Sequence, residues 1–371
     1  KRFLLIGTVY QYFLLDMRDE NMVERNISID LLRIISMVMV VCLHFFSHGG
    51  VMAKLCKFSS LYFIGLFINY LCIVAVNCFV LISGYFLVNR EIDTKKLSKL
   101  WCQVLFYSLL IFLFASYYEI VDFNFTLLFR SLFPITSNLY WFISAYFILY
   151  IISPYLNKFI SVLDKTYFKY CLFCLIFLFS IIPSINIYAA QFKISYGYSF
   201  TWFIVLYLTG AYIKLHYKNV YIKNNHKYLY GYIVLAICMV IIRAILAYSG
   251  NTLYPKYLSA YNNILVFSES VLLFLYFVNL KITNRRLSSI VLKLSPFVLG
   301  VYLLHEVPYM RKYLWNDIFH PGLYVNDNFL YCYMIICVCS IFTVGILIDF
   351  MIKSILNYLY SKIEKCFGGK I

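Results

Sequence analysis

Charged residues are scarce in this sequence. They make up 13% of its 371 residues, only 16 residues are acidic, and 63% of the chain is hydrophobic. A soluble domain has about 25% charged and about 45–50% apolar residues. No stretch has the composition of a soluble domain long enough to fold alone. We therefore exclude a soluble globular protein and predict an all-α membrane helix bundle formed by one domain.

Several functional motifs are also missing. The sequence has no G-x-x-x-x-G-K, which excludes an ATP-driven transporter subunit of the P-loop kind. It has no internal repeat and no second C-x-x-C beside the one formed by Cys171 and Cys174. Most of its twelve cysteines lie inside apolar runs. We expect them to pack as small hydrophobic side chains, and we predict no metal site and no permanently bound cofactor.

The apolar residues are arranged in runs about as long as a membrane-spanning helix, which needs about 20 residues. Ten runs qualify: 27–48, 62–82, 100–119, 138–157, 168–187, 200–215, 228–248, 262–280, 290–308 and 329–352. We therefore predict a polytopic membrane protein with about ten transmembrane helices.

The net charge of +16 comes from short basic clusters between these runs, and not from one patch of the kind that binds nucleic acid. With the N-terminus in the cytoplasm, the inner segments hold 24 lysines and arginines and the outer segments hold seven, while Arg243 lies within a helix. This asymmetry predicts that both termini are cytoplasmic and that the bilayer, not nucleic acid, is the partner.

Three regions follow from this reading. Residues 1–24 form an N-terminal cytoplasmic segment, residues 25–355 the membrane domain, and residues 356–371 a short basic cytoplasmic tail. Met17 and Met22 are alternative start sites, so the first segment is a candidate upstream extension.

The first predicted helix carries ionisable side chains that are costly in lipid and so need a reason. Arg33 and His44 are eleven residues apart, which places them on nearly the same face and about 16 Å apart along the axis. Asp30 lies within a turn of Arg33, and Arg25 precedes the helix. A cation at the cytoplasmic surface could hold a phosphate while a deeper imidazole meets the far end of a long, thin molecule such as acyl-coenzyme A. The alternative is that both arginines are ordinary interfacial residues.

Other polar residues recur later in the chain, and we expect them to line a polar cavity together with His44. The adjacent pair His305-Glu306 precedes Pro308, and each would need a hydrogen-bond partner if buried. The further candidates for this cavity are Ser83, Trp141, Arg243 and Glu269. The structural alternatives are an ion pair between Arg243 and Glu269 and, around Ser83-Gly84, a helix end or close packing.

Four segments in order resemble the acyltransferase 3 family, integral-membrane enzymes that acylate carbohydrates. The first helix reads RNISIDLLRIIS and reaches His44 in CLHF, and the second ends NCFVLISGYFL. The fourth opens LYWFISAYFILYIISP, and the ninth carries GVYLLHEVP. The resemblance spans roughly residues 25–350.

This resemblance implies a ten-helix enzyme that uses cytosolic acetyl-CoA as a co-substrate. His44 would be catalytic, with His305 and Glu306 as further catalytic candidates, and Arg25, Arg33 and Asp30 would belong to the donor site. The implied function is transfer of an acetyl group to a hydroxyl of a surface or capsular polysaccharide or its lipid-linked precursor. The implied location is the bacterial cytoplasmic membrane, alongside polysaccharide-biosynthesis proteins.

On this reading His44 is the general base, or else it carries the acetyl group covalently. Asp30 orients the imidazole if the helix bends, and Glu306 is the other carboxylate that could do so. A transporter or flippase for a lipid-linked sugar is the alternative function. It would predict inverted repeats and interrupted helices in paired positions.

Overall fold

The computed structural model describes residues 26–186, 188–217, 225–251 and 254–366. Within these ranges the chain forms helices and turns and contains no β-strand. The predicted N-terminal segment and Arg25 lie outside the described residues, as does the end of the predicted tail.

The described α-helices are α1 Ile27–Ser47, α2 Val51–Lys54, α3 Ser60–Ile73, α4 Ala75–Leu87, α5 Thr94–Tyr117, α6 Phe125–Leu132, α7 Trp141–Ser161, α8 Lys165–Ile176, α9 Ile182–Ile185, α10 Phe200–His216, α11 His226–Tyr248, α12 Tyr254–Leu258, α13 Ile264–Val278, α14 Arg285–Leu294, α15 Val298–Glu306, α16 Pro308–Lys312 and α17 Leu330–Cys366. The π-helical turns are Phe177–Ile181 and Tyr313–Phe319, and the 3₁₀ turns are Ala190–Phe192, Ile194–Gly197, Ser295–Phe297 and Pro321–Leu323.

Eight helical segments among the described residues are long and apolar enough to cross a membrane, which confirms a polytopic helical membrane protein. They are Ile27–Lys54, Ser60–Leu87, Thr94–Tyr117, Trp141–Ser161, Lys165–Ile185, His226–Tyr248, Arg285–Glu306 and Leu330–Tyr358. Each overlaps one of the ten predicted spans.

The two remaining predicted spans correspond to shorter helices. α10 has 17 residues and α13 has 15. Most of α10 is buried against α4, α7 and α8, and α13 packs against α11, α4 and α1. A helix enclosed by other helices is not in contact with lipid along its length, so its length need not match the hydrocarbon thickness.

Helix α1 lies at the centre of the bundle and positions the most informative residues. It begins after Asn26, whose side chain accepts a hydrogen bond from the Ile29 amide, a standard N-cap. It contacts α3, α4, α13, α14, α15 and α17. Because it is held on several sides and has no proline, α1 is continuous from Ile27 to Ser47.

Small residues allow α4 and α10 to approach closely. A Cβ added at Gly84 would lie 2.0 Å from the Tyr207 carbonyl oxygen, and one added at Gly210 would lie 2.2 Å from the Leu81 carbonyl oxygen. The two glycines therefore bring the helix backbones into contact, which is how small residues act in membrane helix pairs. This is the close packing that the sequence suggested for Gly84.

The buried carboxylate of Asp349 joins α17 to α5. It accepts hydrogen bonds from Gln103 Nε2 at 2.8 Å and from the Tyr107 hydroxyl at 2.9 Å, and it pairs with Lys353 Nζ at 3.2 Å. One carboxylate oxygen thus accepts two hydrogen bonds and the other lies beside a cation, which is the environment of a structural acid. These partners account for an acid in a membrane helix without assigning Asp349 a catalytic role.

Candidate active site

A cavity of about 1000 Å³ extends along the bundle. At one end, here the Arg33 end, its lining includes Arg33, Arg90, Glu91, Asp93, Lys96 and Pro296. At the other, here the His44 end, the lining includes His44, His48, Trp141, Tyr198, Arg243, Ser259, Tyr261, Tyr302, Glu306 and Arg311. Mostly apolar side chains, among them Met37, Val40, Phe79 and Ile82, line the middle. One continuous space therefore joins two polar ends.

His44 lies near the C-terminal end of α1 and forms part of the cavity wall. Its side chain is 14% exposed, and it is eleven residues from Arg33 on one continuous helix. The axial distance between the two residues is thus about 16 Å, as the sequence predicted. His44 can meet a molecule in the cavity while Arg33 contacts the same molecule at the other end.

A chain of hydrogen bonds fixes the protonation of the His44 ring. His305 Nδ1 lies 2.5 Å from the Val301 carbonyl oxygen, which can only accept, so this nitrogen carries a proton. In a neutral His305 ring, Nε2 is then the acceptor. It lies 2.9 Å from His44 Nδ1, which must donate. His44 Nε2 is therefore left with a free lone pair, and no described residue bonds to it.

His305 itself is not at the cavity wall. Its side chain is fully buried behind His44, on α15. It can orient the His44 ring through the hydrogen bond, but it cannot touch a molecule in the cavity. The geometry thus gives the two predicted histidines different tasks, one facing the cavity and one supporting it.

Glu306 is the carboxylate nearest to His44. Its Oε2 lies 3.4 Å from His44 Nδ1 without the geometry of a hydrogen bond, and its Oε1 accepts one from Arg311 at 3.0 Å. A negative charge this close attracts the ring once the ring gains a proton. Arg311 holds the carboxylate in place and offsets part of its charge.

The structure does not bring Asp30 to His44. The two residues are fourteen positions apart on a continuous helix, about 21 Å along the axis, and Asp30 forms an ion pair with Arg33. The expectation that a helix bend lets Asp30 orient His44 is therefore wrong. Asp30 is buried and does not line the cavity, so its effect there is to hold the Arg33 guanidinium.

Three cations and two acids, Glu91 and Asp93, line the Arg33 end. Arg33 lies over the Phe86 ring, 5.6 Å from its centroid, and Arg90 and Lys96 line the same part of the cavity. Arg90 and Lys96 were not among the predicted site residues, because nothing in their spacing separates them from other interfacial cations. Arg25 lies outside the described residues, so its predicted place in this site is untested.

Of the four further residues predicted to line the cavity, three do so and one does not. Ser83, Trp141 and Arg243 line the cavity, but Glu269 does not. The Ser83 hydroxyl donates to the Phe79 carbonyl oxygen at 2.9 Å, one helical turn back, and so is occupied structurally. Glu269 is buried on α13, a helix that packs against α11, α4 and α1.

Aromatic side chains form a wall at the His44 end. Trp141 stacks with Tyr261 at 6.0 Å between centroids and an interplanar angle of 18°, and both contact Tyr198, at 4.6 and 4.8 Å. Burial raises the pKa of the Tyr261 phenol well above its ordinary value. Its hydroxyl therefore stays protonated and can donate a hydrogen bond.

Two residues at this end, His48 and Arg311, were not among the predicted site residues. The His48 ring lies 4.7 Å from the His44 ring, and Arg311 holds Glu306. His48 is four residues after His44, a spacing that puts two side chains on one helix face and was available in the sequence. Arg311 follows Glu306 across the helix break at Val307-Pro308, so helical spacing gave no such signal.

His44, His305 and Glu306 also form the group of described residues that could hold a metal ion, with their ligand atoms within 4.8 Å of one another. Two imidazole nitrogens bound to one tetrahedral zinc ion lie about 3.3 Å apart, given bonds of about 2.0–2.1 Å. The 2.9 Å between His44 and His305 is shorter and is typical of a hydrogen bond. The observed arrangement is thus a hydrogen-bonded pair.

Comparison with known proteins adds one finding. The model of a protein family described as an acyltransferase domain matches residues 26–349, nearly the whole chain. No curated protein and no solved structure gives a match. The matched region contains the cavity and every residue that defines its two ends.

Proposed function

Because the chain belongs to the acyltransferase 3 family and is a membrane acyltransferase, we propose that it transfers an acetyl group from acetyl-CoA to a hydroxyl of a glycan. The acceptor is a surface or capsular polysaccharide or its lipid-linked precursor. The protein works in the bacterial cytoplasmic membrane with both termini in the cytoplasm, next to other proteins of polysaccharide biosynthesis. Nothing in the family match supports the transporter alternative.

The observation that carries the proposal is the free Nε2 of His44 on the wall of a cavity with two chemically different ends. The chain Val301–His305–His44 leaves this nitrogen as a base. Along α1, His44 lies about 16 Å from Arg33, at the depth where the thioester of an extended donor arrives when its phosphates are held by Arg33, Arg90 and Lys96.

The reaction can be written with the residues in place. His44 Nε2 takes the proton of the acceptor hydroxyl as its oxygen attacks the thioester carbonyl carbon. The carbon–sulfur bond then breaks, and the leaving thiolate takes the proton from the His44 imidazolium. The covalent variant, in which Nε2 attacks the thioester and later passes the acetyl group on, uses the same free nitrogen.

Two neighbours support His44 during this reaction. His305 holds the ring so that Nε2 faces the cavity, and it acts as a positioning residue because it is buried behind His44. Glu306 stabilises the imidazolium that forms when the proton is taken, at 3.4 Å from the ring.

We place the acceptor at the His44 end. Trp141, Tyr198 and Tyr261 offer aromatic faces and hydroxyl groups beside His44. A binding site typically combines such apolar and aromatic walls with a few directed polar groups. A sugar ring, which has both C–H faces and hydroxyls, suits this wall.

The test uses the full chain reconstituted in lipid nanodiscs with acetyl-CoA labelled in its acetyl group and total glycan from cells of the source organism. We expect ester-linked label in the glycan and release of free coenzyme A in equal amounts. Binding of glycan without label transfer or coenzyme A release, in a preparation that binds acetyl-CoA, would contradict the proposal.

A further inference from the structure

Arg243 stands out among the charged residues of the cavity. It lies on α11, five residues before the helix ends at Tyr248, and it lines the cavity at the His44 end together with Asn69, Tyr70 and Ser259. Tyr70 lies near both Arg243 and Ser259. These four side chains form a polar lobe of the cavity, here called the Arg243 lobe.

Arg243 forms no ion pair with any acid in the part of the chain that the structure describes. Its Nε is buried and has no hydrogen-bond partner there. The expected pair with Glu269 is not formed, and both oxygens of Glu269 also lack hydrogen-bond partners among the described residues. The structural explanation that the sequence offered for Arg243 is therefore wrong.

The other charges at the His44 end do not neutralise Arg243. Glu306 is the acid among the described lining residues at that end, and it is already bound by Arg311. The Arg33 end differs, because there Arg33 pairs with Asp30 and Lys96 lies 3.9 Å from Asp93. One positive charge is thus left without a counter-charge in the Arg243 lobe.

An unpaired cation in a membrane helix needs a partner, since ionisable groups at membrane depth usually pair or line a pathway. The guanidinium is a planar fork of donors that matches a carboxylate or a phosphate. Asn69 and Ser259 add neutral polar groups beside it. The lobe therefore has the chemistry of an anion subsite, and it opens into the same cavity as His44.

We infer that Arg243 binds a carboxylate or phosphate group of the acceptor, so that this enzyme acetylates an acidic glycan in preference to a neutral one. The inference rests on the proposed function and adds the charge class of the acceptor. The anionic group lies in the Arg243 lobe while a neighbouring hydroxyl of the same glycan faces His44.

The experiment separates the glycan of the source organism into acidic and neutral pools by anion exchange. Nanodisc-reconstituted full chain is given acetyl-labelled acetyl-CoA and each pool in turn. Two treated samples of the acidic pool follow, one with its carboxylates reduced to alcohols and one with its phosphates removed. Label is expected in the acidic pool, and one treatment should reduce it at least about tenfold, which identifies the anionic group.

Variants connect this preference to the arginine. Arg243→Gln should raise the KM for the acidic pool at least about tenfold while kcat and acetyl-CoA binding stay close to wild type, because a charge-assisted bond to substrate is lost. Arg243→Lys keeps the charge but loses the planar fork of donors, so its KM for the acidic pool should lie between those of wild type and Arg243→Gln. Arg130→Gln, a change outside the cavity lining in the outer segment before α7, is the matched control and should behave as wild type.

The outcomes are distinct. Label in the neutral pool, or equal labelling of the acidic pool before and after both treatments, would overturn the inference and leave the proposed function intact. Equal KM values in wild type and Arg243→Gln would also overturn it and would make the arginine structural or a ligand of bilayer phosphate. No label in any pool, with acetyl-CoA bound, would remove the proposed function and the inference with it.

Discussion

The two ends of the cavity differ in chemistry although α1 contributes residues to both. The Arg33 end has three cations and two acids, and Arg33 pairs with the buried Asp30. The His44 end has an aromatic wall, the hydrogen-bonded histidine pair and the unpaired Arg243. This asymmetry suits a reaction between two unlike molecules, with a phosphorylated donor at one end and a glycan acceptor at the other.

The largest expected effect comes from removing the base at the His44 end. His44→Ala should fold and bind acetyl-CoA but lose about 10²–10⁴-fold of the transfer rate, the usual contribution of a general base. His44→Gln should fail similarly, since an amide cannot take the proton. Label transfer per nanodisc is the measurement, and half of wild-type activity in His44→Ala would show that His44 is structural.

The next largest effect is expected at the Arg33 end and should concern donor binding alone. Arg33→Ala should weaken acetyl-CoA binding about 10-fold or more, because a charged hydrogen-bonding partner of the phosphates is lost, and Arg33→Lys should retain part of the affinity. The KM for the glycan should not change. Lys95→Ala, an exposed change next to Lys96, serves as the control. Donor affinity equal to wild type in Arg33→Ala would refute the assignment of this end.

A smaller loss of activity is expected when His305, which is buried behind His44, is replaced. His305→Leu removes the acceptor of the His44 Nδ1 proton and should lower kcat about tenfold with little change in either KM. His305→Gln, whose amide can both donate and accept, should recover part of kcat. A shift in the pH profile of kcat in His305→Leu would accompany the loss of orientation. Equal kcat in His305→Leu, His305→Gln and wild type would remove the positioning role.

The aromatic wall should affect the acceptor alone. Trp141→Leu should raise the KM for the glycan about fivefold through lost ring contact while donor binding stays unchanged. Trp101→Leu, a change of an exposed tryptophan away from the cavity, is the matched control. A rise in the KM for acetyl-CoA, with no change in the KM for the glycan, would show that the aromatic wall binds the donor and would contradict this assignment.

The smallest effect is expected from metal removal. The 2.9 Å hydrogen bond between His44 and His305 accounts for this cluster without a metal ion. Treatment of the reconstituted enzyme with a chelator, followed by buffer exchange, should leave the transfer rate unchanged. A loss that added zinc restores would assign the cluster to a metal.

The sequence was sufficient where the relevant geometry lay within one helix. The distance between Arg33 and His44 follows from the rise of an α-helix, and the structure has that helix unbroken. The same helical geometry also argued against a contact between Asp30 and His44, because fourteen residues of straight helix separate them. The pairing of Asp30 with Arg33 follows from their spacing of three residues.

The remaining features depend on contacts between helices and could not be derived from spacing. His44 and His305 are 261 residues apart, and their hydrogen bond depends on how α1 packs against α15. Arg243 and Glu269 looked like an ion pair by charge, but their helices do not bring the two groups together. Composition and periodicity predict which residues are buried in a membrane bundle, not which buried groups meet.

The central claim is that donor and acceptor approach His44 from opposite ends of one cavity. Sealed proteoliposomes with the enzyme inserted in a single orientation test it, with acetyl-labelled acetyl-CoA supplied on one side and glycan on the other. We predict labelled glycan when the donor is on the side of Arg33 and the acceptor on the opposite side, and no label in His44→Ala. Product formed only when donor and acceptor are on the same side would contradict the claim.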